Sequence, residues 1–500
     1  MGSIMLTRVQ KFFWALFFLT LPFTSFPFLP PAVGGGALVR PLSLYPLAAL
    51  MVLVTLPRLW KRPLPKTLLA LIPFVLIAVA SGLISLFAGI EPSLGVSVFD
   101  RVLRALLTLG IGCAIYVTVA LLPETIEDLR FSLRWLYTGF TLAIFWGTLQ
   151  AVYIIRWNQE WFQLLNRLQR YISIRRLFNN RISGTTYEPN WFAEQLTFLL
   201  LPWLLASVLT GQTVFRWRWR WITGELLLLI WTVALLPFTF SRAGVLNLVV
   251  LAFVSVLVFR PAKKKDPAEQ ARVRVPLLRR LIEAGLAIAV VASLVFFAGT
   301  KNEFFARIWS YWDLKKSPSL SDYLEYLGFG ARLTYSETAW NVYTAAPVFG
   351  VGPGNYAFYF EEKLPERPLA KTVEVLRLIT PEQGRNRLVT PKNFYFRLLA
   401  ETGLVGTAAF FAFLAANLGC ALYLWLSPDR RIKFWGTAGL LGIVAFLFAA
   451  VSFDSFAIPN MWVIFGLITA SAWVFRDPAQ LETTEQTGKL NLDLPTQSGE

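Results

Sequence analysis

Five hundred residues, 56% of them hydrophobic, exclude an ordinary soluble protein, and a mean hydropathy of +0.54 sustained over that length exceeds the needs of a single anchoring helix. The net charge of +17 is spread over loops on both sides of the apolar runs, favouring membrane-surface and anionic-ligand binding over nucleic-acid recognition. Histidine is absent, which removes the usual imidazole base and the commonest metal ligand; Cys113 and Cys420 lie within apolar runs without disulfide or metal spacing.

Apolar runs long enough to cross a bilayer as helices recur along the chain. They predict an all-α polytopic membrane protein of about 12 helices. The first five fall at about 12–30, 41–58, 67–90, 102–122 and 134–155. Phe12 to Pro30 is followed by Pro- and Gly-rich sequence rather than a cleavage site, so it is expected to remain as helix one. Helices six to nine are expected at about 190–210, 222–240, 243–260 and 281–299, and the last three at about 394–426, 434–452 and 457–475. Trp and Tyr cluster near the ends of these runs, as in WRWRW at Trp217 to Trp221, consistent with anchoring at headgroup level.

Basic residues set the orientation. Arg58, Lys61, Arg62 and Lys66, the RWRWR run, Lys263 to Lys265 with Arg279 and Arg280, and Arg430, Arg431 and Lys433 share one side. Short loops on the other carry only Arg40, Arg101, Arg104 and Arg242, so the expected location is the cytoplasmic membrane with both termini cytoplasmic. Two outer segments are long. Residues 156–189 carry Trp161, Leu164, Leu165 and Leu168 at helical spacing, an amphipathic interfacial helix. Residues 301–390 mix aromatic and charged residues, an external subdomain. The chain thus divides into 1–300 with nine helices, 301–390, 391–475 with three helices, and a polar cytoplasmic tail 476–500 expected to be disordered. No internal repeat is evident, which disfavours a secondary transporter.

Candidate chemistry sits at the outer ends of the helices. In TPKNFYFRLLAETGLVG, Thr390 is expected to cap a helix with Pro391 at its first position, placing Lys392 and Asn393 in the first turn. A lysine at the positive end of a helix dipole invites an anion, a phosphate or diphosphate. Asn393, Arg397 and Glu401 follow on one face; the bland alternative is a capped helix with an Arg397–Glu401 ion pair. Arg242, in the tight turn FTFSRAGVLN, can grip a diphosphate over the bundle or simply snorkel. Arg332 opens an amphipathic helix in GFGARLTYSETAW, where a plain surface arginine is the competing reading. Glu188, before Pro189 and Asn190, can cap that helix or hold a sugar hydroxyl. Gly350, Gly352 and Gly354 in FGVGPGNY lack the strand and Lys-Ser/Thr of a phosphate loop and suit a tight turn. No metal-ligand cluster is apparent outside the membrane, so no metal or other cofactor is expected.

Taken together, the E-P-N entry (Glu188, Pro189, Asn190), the S-R-x-G turn (Ser241, Arg242, Gly244), Arg332 followed by ETAWNVYTAAPVFGVGPGNY, and KNFYFRLLAETGLVG resemble the O-antigen ligase/polymerase superfamily of bacterial membrane glycan transferases. The likeness extends over about residues 60–475. It implies an undecaprenyl diphosphate-linked glycan as donor and transfer outside the cytoplasmic membrane, to lipid A-core in ligases or to another lipid-linked repeat in polymerases. It also implies that Arg242 and Arg332 bind the diphosphate. The family's histidine is matched by Lys392, beside a matching Asn393. A lysine, with an ordinary pKa of about 10.4, is a poor base near neutrality but a sound diphosphate ligand. The expectation is a metal-independent glycosyltransferase in which Arg242, Arg332 and Lys392, with Asn393 and Arg397 near them, hold the diphosphate, while Glu188 or Glu401 serves the acceptor hydroxyl. A transporter of a lipid-linked sugar or small anion, and an inactive glycan-binding member, are the competing classes.

Overall fold

A computed structural model describes residues 7–29, 39–61, 63–215, 217–258, 296, 319–366, 372–380 and 388–476. These form sixteen helices and one short hairpin. In order they are α1 (Arg8–Thr20), α2 (Leu44–Lys61), α3 (Lys66–Leu86), α4 (Val98–Leu121), α5 (Ile126–Ile155), α6 (Gln159–Gln169) and α7 (Pro189–Thr210). The antiparallel pair β1 (Arg218–Trp219) and β2 (Ile222–Thr223) follows, then α8 (Gly224–Thr239) and α9 (Arg242–Val258). The remainder comprises α10 (Leu320–Tyr326), α11 (Gly330–Ala345), α12 (Tyr356–Tyr359), α13 (Val373–Ile379), α14 (Phe394–Trp425), α15 (Arg430–Ala449) and α16 (Pro459–Val474).

Seven helices, α2 to α5, α7, α14 and α15, are long and apolar enough to cross a membrane. Three shorter apolar helices lie at Gly224–Thr239, Arg242–Val256 and Pro459–Val474. The chain is a helical membrane protein. The span expected at 281–299 lies outside the described residues except Phe296, as does the tail beyond Arg476. Within WRWRW, Arg218 pairs with Thr223 and Trp219 with Ile222 across a hairpin whose Trp217, Trp219 and Trp221 are all exposed.

The bundle packs α14 against α3, α15 and α16, α16 against α4, α7 against α15, and α1 against α5. Phe394, Phe410, Phe446 and Phe453 meet edge-on or tilted at its centre, with ring centroids 5.0–6.2 Å apart. Burial is uneven among the helices, and α7 and α15 are the most enclosed spans. At one end of the bundle, buried Arg58 pairs with Glu124 and donates to the carbonyls of Leu121 and Leu122, placing a cation where the dipole of α4 is negative.

A second, smaller apolar cluster joins α11, α12 and α13 to the start of α14 through Tyr335, Val342, Tyr356, Phe360, Val375 and Ala400. The connection there is unusual. Helix α14 breaks at Gly403 (φ 64°, ψ −168°), and residues 347–352 supply the missing partners. Leu404 N–H donates to the Pro347 carbonyl at 2.8 Å, while Val351 and Gly352 donate to Ala400 and Glu401 at 2.9 and 3.0 Å. Ser81 on α3 donates to the carbonyls of both Phe349 (2.6 Å) and Glu401 (2.9 Å). The glycine-rich stretch therefore is a tight turn, as its sequence suggests, and its job is close backbone approach: a Cβ on Gly350 would lie 2.5 Å from the Glu401 carbonyl carbon.

Candidate functional site

The turn before α9 is built by its own polar residues. Ser241 caps α9 by accepting from Gly244 N–H at 3.2 Å, and Phe240 adopts a left-handed conformation (φ 47°). Arg181, arriving from the segment before α7, clamps this turn. Its guanidinium donates to the carbonyls of Thr239 (2.9 Å) and Phe240 (3.2 Å) and to Asn190 Oδ1 (2.9 Å). Burial lowers the Arg181 pKa to about 10; Glu188 opposes the shift, and the neighbouring charges of Arg242 and Arg175 add to it. Arg181 therefore remains a cation at neutral pH, within electrostatic range of Arg242. Arg242 itself donates to the Leu327 carbonyl, which ties the start of α9 to the approach to α11.

Glu188 occupies the N-cap position of α7, but its side chain makes no capping bond. It pairs instead with Arg175 at 3.0 Å, and the Arg175 guanidinium lies over the rings of Phe178 (4.3 Å) and Tyr187 (4.8 Å). Capping by Glu188 is thus corrected. The cation reached it first, since a carboxylate gains more from a charge-assisted pair than from one N–H.

Capping of α14 also differs from expectation. The helix begins at Phe394, so Thr390 and Pro391 precede it and Asn393 is the cap, accepting from Tyr395 N–H at 3.1 Å and Phe396 N–H at 3.3 Å. Lys392 stands just outside the first turn with φ 51°, its N–H donated to Asp454 Oδ2 at 2.7 Å. The side chain turns toward α11 and α13: Nζ lies 2.9 Å from Glu374 Oε1 and 4.6 Å from the Tyr335 ring centre, and the Tyr335 hydroxyl donates to the same carboxylate oxygen at 2.8 Å. Partial burial pushes the Glu374 carboxyl up, but Lys392, then Tyr335 and Arg332, outweigh it and hold the pKa below the ordinary value. Arg332, in the first turn of α11, acts on this same group.

Arg397 and Glu401 form the ion pair allowed by their spacing, Nε to Oε2 2.9 Å, with Arg397 also donating to the Asp454 carbonyl. The pair is enclosed: Arg397 is 8% exposed and Glu401 2%. Arg101 of α4, donating to Gly354 at 2.8 Å, stands within electrostatic range of both.

The predicted residues therefore fall in three adjoining groups: Arg242 with Arg181 and Glu188; Lys392 with Glu374, Tyr335 and Arg332; and Arg397 with Glu401. Leu327 ties Arg242 to the chain leading into α11, and Asp454 links Lys392 to Arg397. Arg181, Glu374 and Asp454 escape the sequence reading because their contacts come from distant segments. For Arg181, its place just before the E-P-N entry is the one available hint. No group of three or more Asp, Glu, His or Cys suited to a metal ion occurs among the described residues. Residues 226–411 match the model of a family described as O-Antigen ligase. The comparison with curated proteins gives no match.

Proposed function

We propose that the chain is a membrane glycosyltransferase of the O-antigen ligase superfamily, moving a glycan from undecaprenyl diphosphate to an acceptor as a surface polysaccharide ligase or polymerase; the match of residues 226–411 to the O-Antigen ligase model supports the reading. The observation that carries the reading is the run of cations, Arg181, Arg242, Arg332 and Lys392, connected through Leu327, Glu374 and Tyr335 at the starts of α9, α11 and α14. A diphosphate leaving group departs with negative charge, and preorganised cations stabilise that charge in the transition state. In this reading Arg242, Arg332 and Lys392 take the diphosphate, Arg181 fixes the turn that presents Arg242, and Asn393 and Arg397 shape the floor. Lys392 exchanges Glu374 for the diphosphate when the donor arrives. Glu188, whose side chain is 40% exposed, serves the acceptor hydroxyl; Glu401, buried and held by Arg397, positions rather than reacts.

The reading takes the remaining layout as proposed from sequence: about twelve crossings, counting α1, the three shorter apolar helices and the run at 281–299, with both termini cytoplasmic and the site facing outward. Residues 301–390 form the external unit that shapes the acceptor side.

The test is turnover by the purified protein in nanodiscs, supplied with an undecaprenyl diphosphate-linked glycan and candidate acceptors. Longer lipid-linked chains identify a polymerase; glycan on a different acceptor, with release of undecaprenyl diphosphate, identifies a ligase. Arg242→Ala is expected to lower transfer by about 10²-fold or more while the protein remains folded. Undiminished transfer by that variant removes Arg242 from the diphosphate site.

A further inference from the structure

A small cavity between α7, α16 and the segment after α1 is lined by Thr24, Trp191, Glu194, Gln195 and Asn460. It has room for little more than one water-sized body. Four of these side chains present buried polar atoms that have no hydrogen-bond partner among the described residues: Thr24 Oγ1, Glu194 Oε1, Gln195 Oε1 and both amide atoms of Asn460. Thr24, Gln195 and Asn460 are at most 3% exposed. The orientation of Gln195 is fixed, because its Nε2 donates to the Leu21 carbonyl at 3.3 Å and leaves the oxygen unmatched. Asn460 and Asp454, the latter a second acid, both act on Glu194.

Apart from the Asn460 amide nitrogen and the Thr24 hydroxyl, the unmatched atoms are acceptors, and the one carboxyl has a second acid near it. Leaving such groups dry and unmatched is costly, because each loses its hydrogen bonds to water without replacement. The helix is also irregular at this point: Gln195–Leu200 is a π-helical segment, a distortion that concentrates at functional sites. The oxygens among these groups, a carboxylate, two amide oxygens and a hydroxyl around a space of single-ion size, suit a hard cation rather than a transition metal. A single carboxylate suits a single positive charge.

We propose that Thr24, Glu194, Gln195 and Asn460 bind one monovalent cation, Na⁺ in the first instance, within the helical bundle. The site is separate from the cation run described above and does not rest on the glycosyltransferase reading. Bound there, the ion ties α7 to α16 and to the segment after α1, beside Asp454, which holds the backbone of Lys392.

The experiment is thermal unfolding of the purified protein in NaCl, KCl, LiCl or choline chloride at equal ionic strength, at pH 8.5 and pH 5.5. The midpoint is expected to rise by several degrees and saturate with Na⁺ relative to choline. The rise should be smaller at pH 5.5, where protons compete for the carboxylate. Glu194→Gln and Asn460→Ala should lose the dependence. Saturable ²²Na⁺ binding by the unsubstituted protein provides a measurement that survives if either variant fails to fold. Identical midpoints in all four salts at both pH values, with no saturable ²²Na⁺ binding, would overturn the proposal and assign the cavity to a water molecule or a protonated Glu194.

Discussion

Lys392 combines a backbone conformation that lysine seldom adopts with a charge placed where it can be exchanged. Its left-handed φ of 51° costs roughly 1–2 kcal/mol for a residue with a Cβ, and the Asp454 carboxylate accepting its N–H helps to hold it there. Asparagine tolerates this backbone conformation without the charge. Lys392→Asn should therefore fold as well as the unsubstituted protein yet transfer glycan about 10²-fold more slowly, whereas Lys392→Arg should retain part of the activity; a full-rate Lys392→Asn enzyme would show that the ammonium has no part in the chemistry. The ion pair with Glu374 is half-exposed and contributes little to stability. Its pH dependence has a definite sign. The Glu374 pKa is depressed in the folded protein, so the contribution is present above the ordinary carboxyl range, about 4.3, and is lost as pH falls through the lower folded value. Following the Glu374 carboxyl by ¹³C NMR should show titration at lower pH than in Lys392→Asn. Little of this was legible beforehand: T-P-K-N reads locally as cap and first turn, but Asp454, 62 positions away, and the Asn393 side chain decide where the helix starts.

At the scale of elements, the break in α14 and the docked stretch 347–352 depend on one another. Gly403 must be glycine for two reasons, its φ of 64° and the Val348 carbonyl oxygen that a Cβ would meet at 2.3 Å. Gly403→Ala is expected to destabilise the protein by about 1–3 kcal/mol, read as a lower unfolding midpoint in detergent, with the loss concentrated in hydrogen exchange of residues 347–352. An unchanged midpoint would mean that α14 can close over the gap. The sequence marks Gly350, Gly352 and Gly354 as turn residues but does not say what they turn toward, because a close approach involves two segments and only one is visible in a local window. The S-R-x-G turn was more legible. Ser241 caps within its own neighbourhood, and only the clamp by Arg181 comes from outside.

For the whole molecule, hydrophobic run length located most described helices to within a few residues; the exceptions are α1, which ends at Thr20 rather than near 30, just ahead of Pro22, and α5, which begins at Ile126 rather than near 134, because Thr125 and Asp128 form a capping box ahead of the apolar run. Which residues cluster across the bundle was not legible, since contacts between α7, α9, α11 and α14 depend on packing order. Orientation can be measured directly. In a background of Cys113→Ser and Cys420→Ser, a cysteine replacing exposed Val373 should react with a membrane-impermeant maleimide in intact spheroplasts, and one replacing exposed Pro428 only after lysis. The reverse pattern would turn the site toward the cytoplasm and exclude an outward-facing transferase.

The interrupted α14 also bears on how the chain enters the bilayer. Beyond Gly403, the stretch from Leu404 to Trp425 is about 22 residues, roughly 33 Å of helix, which matches the ~30 Å hydrocarbon by itself. The insertion machinery therefore needs only that portion as a membrane segment. The preceding turns, carrying Arg397 and Glu401, can be delivered with the polar stretch before them and seated afterwards, when Pro347 and Val348 offer their carbonyls. Two buried charges that would burden a translocating helix thus acquire their partners during assembly rather than during insertion.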